Sequence, residues 1–161
     1  MLTAPLSAIE QESCPQPSPS INCWLLHLTS GHVIAISIHQ VTELLRDIVR
    51  LPVPRAPEHC NNLIAWRERL IPLVDYQHPN RSKTSLSHSQ VMVIRFANDE
   101  HGIDYLGFSI KHIEKATIHD SDFLIPDDWQ DLPFTESILS SCEVNDQCIY
   151  ILDMKTLYNQ H

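Results

Sequence analysis

The chain is cut into short β-rich runs separated by turn signals, and this alternation constrains its fold more than any other feature. Cys23-Trp24-Leu25-Leu26-His27-Leu28 meets Val33-Ile34-Ala35-Ile36-Ser37-Ile38 across Ser30-Gly31, which is the pattern of a β-hairpin. Leu63–Trp66 and Leu70–Tyr76 flank Arg67-Glu68-Arg69 and read as a second hairpin with a charged tip. Val91–Phe96, Ile103–Ile110 and Ile113–Ile118 read as three more strands. Ser137–Cys142 and Cys148–Asp153 flank Asn145-Asp146 as a last hairpin, whose two-residue turn sets Cys142 opposite Ile149 rather than Cys148.

Two segments break the alternation. Val41, Leu44, Leu45 and Ile48 recur at i, i+3, i+4 and i+7, which predicts a short amphipathic helix with Glu43 and Arg46 facing outward. Leu51-Pro52-Val53-Pro54-Arg55-Ala56-Pro57 ends it, because proline lacks the amide hydrogen and holds its predecessor extended. Met154–Tyr158 closes the chain as one helical turn. Residues 1–20, with four prolines among Ser, Gln and Glu, read as a disordered tail, leaving 21–161 as a single domain. His78–Ser89 reads as a polar loop between lobes and Phe123–Pro133 as an acidic exposed loop. The fold class is therefore all-β with one or two short helices, closed or barrel-like.

A length of 161 residues suits one compact unit or two small lobes sharing a core. Its three glycines, Gly31, Gly102 and Gly107, are too far apart for a phosphate-cradling loop. Charge is two-sided: residues 22–97 hold 8 basic against 5 acidic groups, and residues 98–161 hold 3 against 13. The acidic half disfavours nucleic acid and anionic lipid and suits a protein partner with a basic patch. No apolar stretch is long enough to span a membrane, and no Lys or Arg precedes Arg46, so a cytoplasmic location is expected. Five cysteines without a C-x-x-C pair fit reduced thiols better than a disulfide framework.

The order of residues from Val41 to Tyr76 is the most particular part of the chain: V-T-E-L-L, then L-P-V-P-R-A-P, then N-L-I-A-W-R-E-R-L-I-P-L-V-D-Y. It resembles the CheW-like domain family of bacterial chemosensory adaptors. Val41 and Glu43, the prolines Pro52, Pro54 and Pro57 with Ala56, then Arg67, Pro72 and Asp75 fall on that family's pattern, and the resemblance spans roughly residues 22–158. Asn62 and Glu68 stand where the family pattern has glycine. A left-handed backbone at Glu68 costs about 1–2 kcal/mol, so a turn rebuilt in ordinary geometry is expected there. Trp66-Arg67 in place of the family's Leu-Arg is similar to accessory members of pilus-linked (twitching) chemosensory systems.

The resemblance implies two intertwined five-stranded β-barrel lobes and a non-catalytic adaptor that couples chemoreceptor tips to the regulatory domain of a CheA-type histidine kinase, without cofactor or metal. Together with the chemistry of the residues themselves, it leads us to expect partner binding at Val41, Glu43, Leu63, Arg67 and Glu68. Arg67 on a hairpin tip offers a planar fork of donors for a carboxylate or helix-end carbonyls, and Val41 and Leu63 offer apolar anchors beside it. Plainer roles compete: Glu43 as a solvated face, Arg67 paired with Glu68 or Asp75, Asp75 as a turn cap, and Val41, Leu63 and Ile71 as core, a reading kept for Ile71. Two rival classes stand beside the adaptor. One is a small β-barrel binding module outside chemosensing. The other is an enzyme or metal site drawing on 10 histidines and 5 cysteines, which scatter singly apart from His59-Cys60 and lack the close spacing that zinc sites favour.

Overall fold

A computed structural model describes residues 18–76, 90–124, 129 and 131–160. Residues 1–17 of the expected tail, and the whole of the expected polar loop at 78–89, lie outside the described residues. Among the described residues, eleven strands form one hydrogen-bonded network. They are β1 (Ser20–Leu28), β2 (Val33–Ser37), β3 (Val41–Leu45), β4 (Arg50–Pro52), β5 (Asn62–Trp66), β6 (Arg69–Val74), β7 (Gln90–Asn98), β8 (Gly102–His119), β9 (Phe123–Leu124), β10 (Ile138–Val144) and β11 (Gln147–Leu152). An α-helix, α1 (Met154–Asn159), follows, the one α-helix among the described residues.

The network divides into two five-stranded lobes that share one strand. In the first, the far half of β8 pairs β1, which pairs β2, which runs parallel to β11, which pairs β10. In the second, β3 pairs β7, β7 pairs the near half of β8, β8 runs parallel to β6, and β6 pairs β5. The two-residue β9 and three-residue β4 extend the edges. Chain order runs from the first lobe to the second and back through β8, so the lobes are interleaved. Among the described residues the ladder path does not return on itself.

Three apolar clusters explain the strand patterns. Cys23, Leu25, Val33, Ala35, Ile118, Cys142 and Ile149 fill the first lobe. Ile64, Trp66, Ile71, Leu73, Val91 and Val93 fill the second, with Ile71 in the core as the sequence suggested. The largest cluster lies between the lobes and includes Leu26, Ile34, Met92, Ile94, Leu106, Phe108 and Leu157. Strands β1 and β7 are buried on both faces, which is why their sequences read as continuous apolar runs rather than alternating ones. At Gly107 the backbone passes so close to Val91 Cγ1 and Ile64 Cδ1 that an added Cβ would lie 3.0 and 3.1 Å from them.

Three expectations require correction. The segment from Val41 to Ile48 is not a helix: Val41–Leu45 is a strand, and Asp47 adopts a left-handed φ of 52°. The register against β7 shifts between Val41 and Glu43, and this bulge at Thr42 puts Val41 and Leu44 on the same side, against the inter-lobe core. Leu45 and Ile48 pack on the second lobe's core instead. A bulged strand half-buried on both faces, with Ile48 just beyond its end, thus reproduces the i, i+3, i+4, i+7 stripe of a helix. Second, Ile103–Ile110 and Ile113–Ile118 are one continuous strand, because Lys111-His112 contains no turn-forming residue: Lys111 is absorbed as a bulge opposite His27/Leu28, and His112 pairs with His27. Third, the expected loop Phe123–Pro133 opens as strand, since Phe123–Leu124 pairs with β10; its residues 125–128 and 130 lie outside the described residues.

The hairpins follow their turn chemistry. Gly31 (φ 96°) closes the β1–β2 loop, which spans three residues rather than two. Asn145 and Asp146 are both left-handed, and Cys142 pairs with Ile149 as the spacing requires. Asp153 caps α1, accepting from the Lys155 amide at 3.1 Å, an N-terminal device worth about 1 kcal/mol.

Candidate functional site at the edge of the second lobe

The β5–β6 turn is not rebuilt in ordinary geometry. Trp66 pairs with Arg69, leaving Arg67 (φ 43°) and Glu68 (φ 63°) as a two-residue loop with both residues left-handed. That conformation matches the twist of the flanking strands better than an ordinary turn, and strand pairing on both sides holds it despite the missing glycine. Glu68→Gly is therefore expected to raise stability by about 1 kcal/mol, read as a higher urea midpoint at unchanged slope; a lower midpoint would contradict the left-handed turn. Asn62, at the other position where the family pattern has glycine, opens β5 in extended geometry.

Strands β3 and β5 have no ladder between them, and side chains bridge this seam. The Trp66 Nε1–H donates to Glu43 Oε2 at 2.9 Å, and Arg67 Nη2 pairs with the same oxygen at 3.0 Å. The Arg67 guanidinium lies 4.9 Å from the Trp66 ring centroid. Trp66 packs on Tyr105 at 4.8 Å, and Arg69 sits over Tyr105 at 5.5 Å. Glu43 and the Trp66 ring therefore hold Arg67 in place while its side chain stays 65% exposed. Such an exposed pair adds less than about 1 kcal/mol to stability. Its effect is to hold a planar donor fork at the surface in one pose.

The remaining predicted residues have separate settings. Leu63 lies between Leu51 and Pro72 as a direct cross-strand neighbour of each. Leu51 and Leu70 are exposed, so the outward side of β4, β5 and β6 is an apolar surface next to Arg67. Glu68 is exposed at the turn. Val41 is half-buried against the inter-lobe core. Glu43 and Arg67 are thus brought together, Leu63 and Glu68 flank them, and Val41 serves packing. Trp66, Arg69 and Tyr105 were missed as parts of this edge. Trp66 beside Arg67 was a local signal, whereas Tyr105 arrives only through strand pairing.

Asp75 does not cap a turn. It is buried and accepts from Arg50 Nη1 at 2.6 Å and from Thr29 Oγ1 at 2.8 Å, while Arg50 Nη2 reaches Ser109 Oγ at 3.3 Å. This network ties the β1–β2 loop of the first lobe to β4 and β8. The His59-Cys60 pair is poorly suited to nucleophilic chemistry: burial pushes the Cys60 thiol up to about 11, leaving almost no thiolate at neutral pH. Burial also lowers the His59 pKa. Cys23, Cys60, Cys142 and Cys148 are all free.

The arrangement is that of a two-lobed β module presenting a preorganised arginine beside an apolar strand face, which is the equipment of a protein-binding domain. The family model described as "CheW-like domain" matches residues 24–160, and the chain belongs to that family. Among solved structures it is similar to the scaffolding protein TtCheW from Thermoanaerobacter tengcongensis, with a TM-score of 0.64 and 17% identity over 84% of this chain and 90% of that one. Comparison with curated protein sequences finds no significant match. Among the described residues no helix is long and apolar enough to cross a membrane.

Proposed function

We propose that the protein is a non-catalytic chemosensory adaptor of the cytoplasm, joining the cytoplasmic tip of a chemoreceptor to the regulatory domain of a CheA-type histidine kinase. Family membership supports the adaptor role. The observation that carries the site is the Glu43–Trp66–Arg67 bridge, which holds an exposed guanidinium in one pose at the end of an apolar strand face. In this reading Arg67 and Glu68 meet polar groups of a partner, Leu63 with Leu51 and Leu70 meets its apolar residues, Glu43 positions Arg67, and Val41 supports the strand behind them. The pilus-linked subtype rests on the Trp66-Arg67 pair alone. Titration calorimetry against the kinase regulatory domain and a receptor cytoplasmic fragment tests the site. Arg67→Ala is expected to weaken one of the two contacts by about 1–3 kcal/mol while changing folding stability by less than about 1 kcal/mol. Unchanged affinity for both partners would remove Arg67 from the interface.

A further inference from the structure

The inward face of the first lobe ends in a cluster that the docking edge does not use. Along β1 this face carries Cys23, Leu25 and His27, and along β8 their direct partners Ala116, Glu114 and His112. The Cys23 and Leu25 end is buried in the lobe's core, and the polar end gathers His27, His112 and Glu114. His27 Nε2 lies 2.9 Å from Glu114 Oε1, and the two imidazole rings stack with centroids 3.7 Å apart and planes 18° from parallel. One ligand atom from each of the three residues lies within 4.8 Å of the other two.

Local geometry accounts for this convergence. His112 and Glu114 are two apart on a strand and so share a face, and His27 lies directly opposite His112. The bulge beside this pair is the kind of irregularity that re-aims side chains. No short motif announces the site, because His27 and Glu114 are 87 residues apart in sequence.

We propose that His27, His112 and Glu114 bind a single zinc ion. Two imidazoles and one carboxylate form a recognised three-ligand zinc set that leaves a fourth position open. Since the ligands come from two strands, the ion would clamp β1 to β8 and stabilise the folded chain by mass action. His112 and Glu114 are exposed, so small rotamer changes can bring the three ligands to a common centre without repacking the core.

The test uses the full chain without an affinity tag, stripped with chelator, dialysed and titrated with zinc by calorimetry, with thermal melts in parallel. The expected result is saturable binding of one equivalent and a zinc-dependent rise in melting temperature. Both should be lost in His112→Ala and in Glu114→Gln, exposed-site variants whose metal-free melting temperature should match the wild type. His101→Ala, at an exposed histidine outside the cluster, should retain both. Absence of saturable binding, or one equivalent still bound by His112→Ala and Glu114→Gln, would overturn the proposal.

Discussion

Asp75→Ala should destabilise the protein by about 3–5 kcal/mol, the loss expected when one member of a buried ion pair is removed and the other keeps its charge. The carboxylate is buried, and the Arg50 side chain that donates to it at 2.6 Å is only 17% exposed. Thr29 would lose an acceptor at the same time. Urea unfolding of the single variant measures the effect. The double variant Arg50→Met/Asp75→Leu should recover much of the loss, because replacing both charges with apolar groups removes the desolvation cost along with the attraction. A loss below about 1 kcal/mol for Asp75→Ala would show that the pair is solvated and does not brace the lobes.

Phe108→Ala should cost about 3–5 kcal/mol, the range for truncating a buried aromatic side chain. Phe108 is fully buried on β8, pairs with Met92 on β7 and Val74 on β6, and belongs to the cluster between the lobes. The shape of the transition is as informative as its midpoint. Because β8 contributes one half to each lobe, the variant should still unfold in a single step, with tryptophan fluorescence and far-ultraviolet circular dichroism coincident. Two separated transitions would mean that the lobes fold independently and that the shared strand does not couple them.

Much of this fold was legible locally, and the errors share a cause. Hairpins at Gly31 and Asn145-Asp146 could be placed because turn residues act over three or four positions, and the one expected across Arg67-Glu68-Arg69 because a charged tip parts two β-rich runs. The register Cys142 to Ile149 followed from turn length alone. The helix expected over Val41–Ile48 failed because periodicity assumes one buried face, whereas β3 feeds two cores and carries a bulge. The rebuilt turn expected at Glu68 failed for a related reason. A left-handed cost of about 1–2 kcal/mol was set against local alternatives only, while the pairing of β5 with β6 on both sides of the turn outweighs it.

The site was partly legible. Glu43 and Arg67 were both singled out, but their shared oxygen and the Trp66 ring between them depend on β3 meeting β5, which no spacing in the chain encodes. The same limit hid Asp75 as a brace between lobes, and the His27, His112 and Glu114 cluster. Each is assembled by strands that are neighbours in space and distant in sequence.

The central claim is that this protein bridges two partners, and co-sedimentation tests it most directly. A receptor cytoplasmic fragment assembled on vesicles should bring the kinase regulatory domain into the pellet when the protein is present and leave it in the supernatant when the protein is omitted. Arg67→Ala should lower the pelleted fraction in proportion to the weaker contact. Pelleting of the kinase domain that is independent of the protein, or a folded protein that stays in the supernatant with receptor and kinase domain both present, would contradict the adaptor account.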